Sequence, residues 1–406
     1  MIKPWMRALA LLAAVSMLVF GCSKDNSLWS WMVPETSDSA TTAQVAGYVF
    51  NPAQVSASAE NVRQLKVPAG FTVAKFAEGL GHPRMLVVSA AGNVYVSDRD
   101  AGVVMMLKDT NGDGVSDSKQ IVATVKQAHG MFIRSNKMYL TGVREVYTAD
   151  LNTDGTLGQP KMIISDLPDG GQHPNRTLAF GPDNKLYITV GSTCNACKEP
   201  NTMNATIVQA NEDGSNKIVY AKGLRNTIGF GWHPTTGEMW GMDHGIDWLG
   251  DNDQEEELNQ IKQNANYGWP YIYGNGKYNP QPRPSGDTTY QQLLRLSTLP
   301  TLTYQAHSAP LQMAFYTASK FPAEYKNDAF VAMRGSWNRS TPVGYKVVRV
   351  HFDNGKPVRI EDFLTGFLVN NNRSQFGRPV GVAVQPDGSL LVSDDTNGVI
   401  YRVTHS

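Results

Sequence analysis

One pattern returns along this chain and leaves few folds open to it: a short apolar stretch, a turn built of Pro, Asp, Gly or Asn, then an alternating strand-like run. Clear copies are Met85-Leu-Val-Val followed by Ala91-Gly-Asn and Val94-Tyr-Val-Ser, and Leu178-Ala-Phe-Gly-Pro-Asp-Asn-Lys-Leu-Tyr-Ile-Thr-Val. Ile228-Gly-Phe-Gly-Trp-His-Pro before Glu238-Met-Trp, and Val380-Gly-Val-Ala-Val-Gln-Pro-Asp-Gly-Ser-Leu-Leu-Val-Ser, repeat it. Looser copies run from His129-Gly-Met-Phe-Ile to Lys137-Met-Tyr-Leu and from Met313-Ala-Phe-Tyr to Ala329-Phe-Val-Ala. The early copies lie about 45 residues apart, the period of a four-stranded propeller blade. Six copies imply an all-β chain folded as a six-bladed β-propeller. Phe71-Thr-Val-Ala-Lys-Phe is expected to pair with Val399-Ile-Tyr-Arg-Val and close the ring, which removes exposed sheet edges. The wider later gaps call for insertions, the longest within residues 247–300. An unclosed β-sandwich with similar hairpins is the alternative.

Composition narrows the partners. The 406 residues carry 36 Lys and Arg against 36 Asp and Glu with no basic run, so no electrostatic footprint for nucleic acid exists. The start of the chain carries an address. Lys3 and Arg7 precede the apolar stretch from Ala8 to Phe20 and then Gly21-Cys22, the layout of a secretory signal. The stretch is too short to remain as a membrane span. Its Gly-Cys end resembles a bacterial lipobox, which implies a signal peptide over 1–21, a lipidated Cys22 and a periplasm-facing lipoprotein of the outer membrane. Residues 22–59, rich in Ser, Thr, Ala and Asn, read as a lipidated N-terminus and flexible tether, leaving 60–406 as the propeller domain.

With Cys22 lipidated, only Cys194 and Cys197 remain, and outside the cytoplasm a local disulfide is the preferred reading over a metal site. One further motif is readable from residue types alone. Asp109, Asn111, Asp113 and Asp117 stand at positions one, three, five and nine of a loop with Gly114 at six, as in a calcium-binding loop, although Gln120 replaces the bidentate acid at twelve.

A resemblance enters through a longer series of motifs. Gln172-His173-Pro174-Asn175-Arg176-Thr177-Leu178, Gly223-Leu224-Arg225-Asn226 and His233-Pro234 come first. Asp243-His244-Gly245, Glu256-Glu257-Leu258-Asn259, Asn266-Tyr267-Gly268-Trp269-Pro270, Arg334-Gly-Ser-Trp-Asn-Arg339 and Gly377-Arg-Pro-Val380 follow in order. Over roughly residues 65 to 404 the chain resembles the soluble pyrroloquinoline-quinone (PQQ) dependent sugar dehydrogenases, and within them the L-sorbosone dehydrogenase branch.

The resemblance implies an oxidoreductase that takes an aldose or a ketoaldose such as sorbosone to a lactone or acid with PQQ and calcium. His173 matches the family's general base, a role suited to an imidazole. Arg225 is placed as a catalytic and cofactor-binding residue. Arg378 is a further cofactor contact, because a cofactor with three carboxylates needs fork-shaped cations, and His129, Asn226 and His244 match polar cofactor-side positions, with Arg334 a cofactor-binding candidate beside them. Gly245 and Ile246 align with carbonyls that hold the catalytic calcium, and Glu257 and Tyr267 with a structural calcium region. Two departures stand out: the lysine that soluble glucose dehydrogenases place near Gly335 is missing, with Arg334 or Arg339 as substitutes, and a second cofactor arginine falls on Val380. Because Cys197 is followed by Lys198, no CxxCH haem motif occurs, so electrons must pass to a separate acceptor. Two rival readings share the fold: a calcium-dependent lactonase-type hydrolase and a non-catalytic envelope scaffold.

Overall fold

The computed structural model describes residues 47–406; the expected signal peptide, Cys22 and residues 22–46 of the expected tether lie outside the described residues. Among the described residues, six four-stranded antiparallel sheets follow one another along the chain. Their first strands are Pro83–Val88, Met131–Arg134, Leu178–Phe180, Phe230–Trp232, Pro310–Phe315 and Pro379–Val384. The last sheet takes its outer strand from the segment just ahead of the first sheet: Phe71–Ala77 pairs antiparallel with Val399–His405.

Packing brings the sheets around a common axis. All six first strands line a single cavity of roughly 280 Å3. Each interface between successive sheets is sealed by its own apolar cluster, for example Tyr139 and Val146 against Phe180 and Leu186, or Trp240 and Leu258 against Met313 and Val331. Leu86 and Val94 of the first sheet pack in the same way on Leu391 and Ile400 of the last. The chain is therefore an all-β propeller. Sandwiching between neighbours explains the second strands, Val94–Asp98, Leu186–Val190, Met239–Asp243, Ala329–Met333 and Leu390–Asp394, which are buried at every residue rather than at alternate ones.

Two sequence expectations need correction. Glu256–Ile261 lies inside the stretch taken as one insertion, yet it is the third strand of the fourth sheet. Its polar composition hid it: buried Glu256 and Glu257 spend their carboxylates on backbone N–H groups of loops. Residues 53–58, within the expected tether, are bound to the domain. Ala53–Gln54 pairs with Ser374–Gln375, and Ser58 caps the short helix Ala59–Val62 by accepting from Asn61 N. No helix of the described residues is long and apolar enough to cross a membrane.

Phe71 anchors the closing strand: its ring meets Phe321 at 4.7 Å and Tyr325 and Phe363 at 5.2 Å, all edge-on. Truncating a buried aromatic leaves a cavity costing about 3–5 kcal/mol. Phe71→Ala is expected to lower unfolding stability by about 3 kcal/mol in urea titration, and an unchanged midpoint would show that closure does not depend on this contact.

Candidate active site

A cavity of roughly 550 Å3 opens where the first strands begin, lined by Arg84, His173, Asn175, Arg225, Asn226, His244, Gly245, Asp247, Glu256, Arg334, Gly335 and Arg378 among others. Its contributors come from five sheets and their loops, so it exists only in the closed ring.

His173 donates from Nδ1 to the Ser192 carbonyl at 2.9 Å, and Ser192 Oγ lies 2.8 Å from the same nitrogen. A carbonyl can only accept, so Nδ1 carries the proton and Nε2 keeps its lone pair. Burial, reinforced by the Arg225 charge, drives the imidazole pKa down to about 2. His173 is therefore neutral. Burial also lowers His244 to about 4, with Arg225 adding to the effect, while its Nε2 is bound to the Pro310 carbonyl.

Arg225 is the most constrained cation. Nε donates to Asn195 O at 2.9 Å, and Nη2 to Asn195 Oδ1 at 2.7 Å and Asp247 Oδ2 at 2.9 Å. Its own N–H, that of Asn226 and the Thr227 hydroxyl all converge on the Asp243 carboxylate at 2.7–2.8 Å. Across the cavity Arg84 and Arg334 share Asp395 Oδ2, at 2.6 and 2.9 Å. Burial opposes the charged form of Asp395, but the Arg334 and Arg84 charges outweigh it and hold its pKa below the usual carboxylate value. Arg378 donates to the Arg334 and Gly335 carbonyls, and burial lowers its pKa to about 10. Four guanidinium groups thus face one space. Trp248 and Trp337 meet edge-on at 5.4 Å beside them.

His173, Arg225, Asn226, His244, Gly245, Arg334 and Arg378 are thus brought together. Others are not. His129 does not line the cavity: it is buried behind Arg84, with Nδ1 on the Arg176 carbonyl and Nε2 at 3.3 Å from Arg84 Nη2. The Ile246 side chain packs with Ala205, Leu249, Trp269 and Tyr273. Glu257 accepts from Gly274 N, and the Tyr267 hydroxyl donates to Gln260 O, both away from the cavity lining. Asp109, Asn111, Asp113 and Asp117 occupy an exposed hairpin, where their oxygens are taken up by N–H groups of the same loop. Arg339 turns away to Asp251 O and Asn252, so Arg334 alone of the two faces the cavity. At Gly335 φ is +97° and a Cβ would stand 2.3 Å from the Tyr345 ring, which excludes a lysine there in this backbone. Val380 is fully buried in a core cluster.

Sequence reasoning missed Arg84, Asn195, Asp243 and Asp395. Arg84 left a readable trace, since Gly81-His82-Pro83-Arg84 opens a first strand as Gly377-Arg378-Pro379 does. Cys194 and Cys197 form a disulfide. Among the described residues they and Glu199 are the one group of three such side chains close enough to hold a metal, and bonded sulfurs are not ligands for one. A metal in the cavity would therefore draw most of its ligands from main-chain, amide or ligand oxygens, with Asp247 and Glu256 the carboxylates at the lining.

A family model described as TrAA12-like matches residues 65–406. An uncharacterised protein of Borreliella burgdorferi is 31% identical over 89% of this chain and 96% of its own. A pyrroloquinoline quinone-dependent sugar dehydrogenase of Hypocrea jecorina is 23% identical over 88% of this chain and 95% of its own. In fold, the calcium structure of the Trichoderma reesei enzyme of carbohydrate-active family AA12 superposes with a TM-score of 0.73 at 23% identity, covering 84% of this chain and 97% of that one.

Two outcomes follow from the geometry. Asp243→Ala leaves two buried N–H groups without an acceptor and should cost about 3 kcal/mol, read as a lower urea midpoint. Burial raises Glu256 and Glu257 to about 8, so the folded state binds their protons more tightly than the unfolded chain does. The stability this contributes is complete below the unfolded carboxyl value and is lost as pH rises through 8. In chelator, the thermal midpoint should fall between about pH 4.5 and 8 and level off above that, and Glu256→Gln with Glu257→Gln should flatten the fall.

Proposed function

The chain belongs to the TrAA12-like family, and from that premise we propose that it is a PQQ-dependent sugar dehydrogenase. One observation carries the reading: four arginines and a neutral histidine with a free Nε2 face a single cavity. The residues fit a planar polyanion. Arg84, Arg225, Arg334 and Arg378 offer forked donors for carboxylates. Asn226 Oδ1 is a buried oxygen without a partner, an acceptor position that a bound cation or donor would complete. The Gly245 carbonyl at the cavity lining, with that amide oxygen, is a hard donor of the kind calcium takes. When bound, PQQ and calcium supply a two-electron acceptor and the Lewis acid beside it, which no side chain here provides.

The chain's own groups do the remainder. His173 Nε2 takes the proton from the sugar hydroxyl, with Ser192 holding the opposite nitrogen in the required tautomer. Arg225, fixed on three sides, retains Nη1 for the cavity. An anion bound near it offsets the positive field that suppresses the imidazole's basicity. Trp248 and Trp337 give the cavity an apolar flank beside the cations. The substrates are read as aldoses or ketoaldoses such as sorbosone, oxidised to lactone or acid, with electrons leaving through a separate carrier. The six sheets are read as six blades, and the protein as an envelope lipoprotein anchored through Cys22.

Calorimetric titration with PQQ in excess calcium, followed by dye reduction with a panel of aldoses and sorbosone, tests the reading. Saturable calcium-dependent binding and sugar-dependent turnover are expected. His173→Gln should lower kcat by about 10²–10⁴-fold with the fold kept, and Arg225→Ala should weaken PQQ binding. Full turnover in the His173 variant would remove the proposed base.

A further inference from the structure

We propose that Asn195, the residue after the first cysteine of the Cys194–Cys197 disulfide, is the positioning residue that fixes Arg225 and Asp247 beside His173. Both oxygens of Asn195 face the guanidinium: the main-chain carbonyl accepts Arg225 Nε at 2.9 Å and the side-chain Oδ1 accepts Nη2 at 2.7 Å. The same Oδ1 accepts the Asp247 N–H at 2.9 Å, which ties Arg225 to the start of its acidic partner's loop. A guanidinium is planar, so two acceptors on one edge fix both its place and its plane.

The loop that presents these oxygens is closed and anchored. Cys194 and Cys197 are bonded across three positions. Thr193 spends its N–H and hydroxyl on Glu199, at 2.9 and 2.7 Å. Ser192 Oγ donates to the Cys194 carbonyl at 2.8 Å, and the Ser192 carbonyl is the acceptor of His173 Nδ1–H. Base and arginine therefore hang from one short segment. Without Asn195 Oδ1, Nε keeps the main-chain carbonyl but Nη2 keeps only Asp247, whose side chain is 26% exposed and whose own N–H loses the same acceptor, so the guanidinium plane is held more loosely. The consequence for turnover rests on the dehydrogenase reading; the positioning itself does not.

The test has a cofactor-free readout. Solvent exchange of the Arg225 side-chain N–H protons, followed by NMR of the 15N-arginine-labelled protein, should be slow in the native chain. It should be faster in Asn195→Ala and fastest in Cys194→Ser with Cys197→Ser, where both oxygens are released. Asn195→Asp, which keeps an acceptor in place, should restore slow exchange. With PQQ and calcium, Asn195→Ala should weaken binding about tenfold or more, the scale of a lost hydrogen bond to a charged group. It should add nothing in an Arg225→Ala background. Unchanged exchange in Asn195→Ala would overturn the proposal, and so would a binding loss that persists without Arg225. Faster exchange in a protein whose native form binds no PQQ would uphold the positioning and reject the cofactor reading instead.

Discussion

Three of the four cavity arginines depend on how the first strand of a sheet is held where it leaves its ladder. Register shifts fall between Pro83 and Leu86 and between Pro379 and Val382, so N–H groups near these starts lose their strand partners. Buried donors must be satisfied, and the second strand does this with side chains. Ser97 Oγ accepts from Met85 N, Thr141 Oγ1 from Gly130 N, Thr189 Oγ1 from Thr177 N and Ser393 Oγ from Gly381 N. Where a strand ends in Asp the carboxylate reaches further, to His82 N from Asp98, Arg225 N from Asp243 and Arg378 N from Asp394. Arg84, Arg225 and Arg378 all emerge from backbone pinned in this way. The same device, applied in different sheets, makes the cavity rigid.

Collecting arginines in a partly dry space is costly in charge repulsion and desolvation. The protein meets that cost by sharing acids and by using main-chain oxygens. Asp395 serves Arg84 and Arg334, Asp247 serves Arg225, and Arg378 leans on two carbonyls and lies over the Tyr345 ring at 5.3 Å. What remains is a positive field at the cavity, which adds to burial, the larger cause, in depressing the basicity of His173 and His244. One arrangement thus attracts an anion and keeps the base neutral. The Tyr345 ring that supports Arg378 is also the group that a side chain at Gly335 would strike.

The sequence by itself determined the repeating strand pattern, the strand that closes the last sheet, and three of the four arginines and two of the three histidines that meet in the cavity. These were legible because turn residues, apolar runs and short motifs are local, and local chemistry dictates local structure. Glu256–Ile261 was hidden because its carboxylates satisfy loop N–H groups that lie far from it in sequence. Only the tertiary structure decided that Arg84 joins the cavity while His129 stands behind it, that Arg334 rather than Arg339 faces inward, and that Asn195 holds Arg225. Each of those choices is made between residues of different sheets. Their distances are set by the closure of the ring and by the bends at its inner strands, and no period within a single segment encodes them.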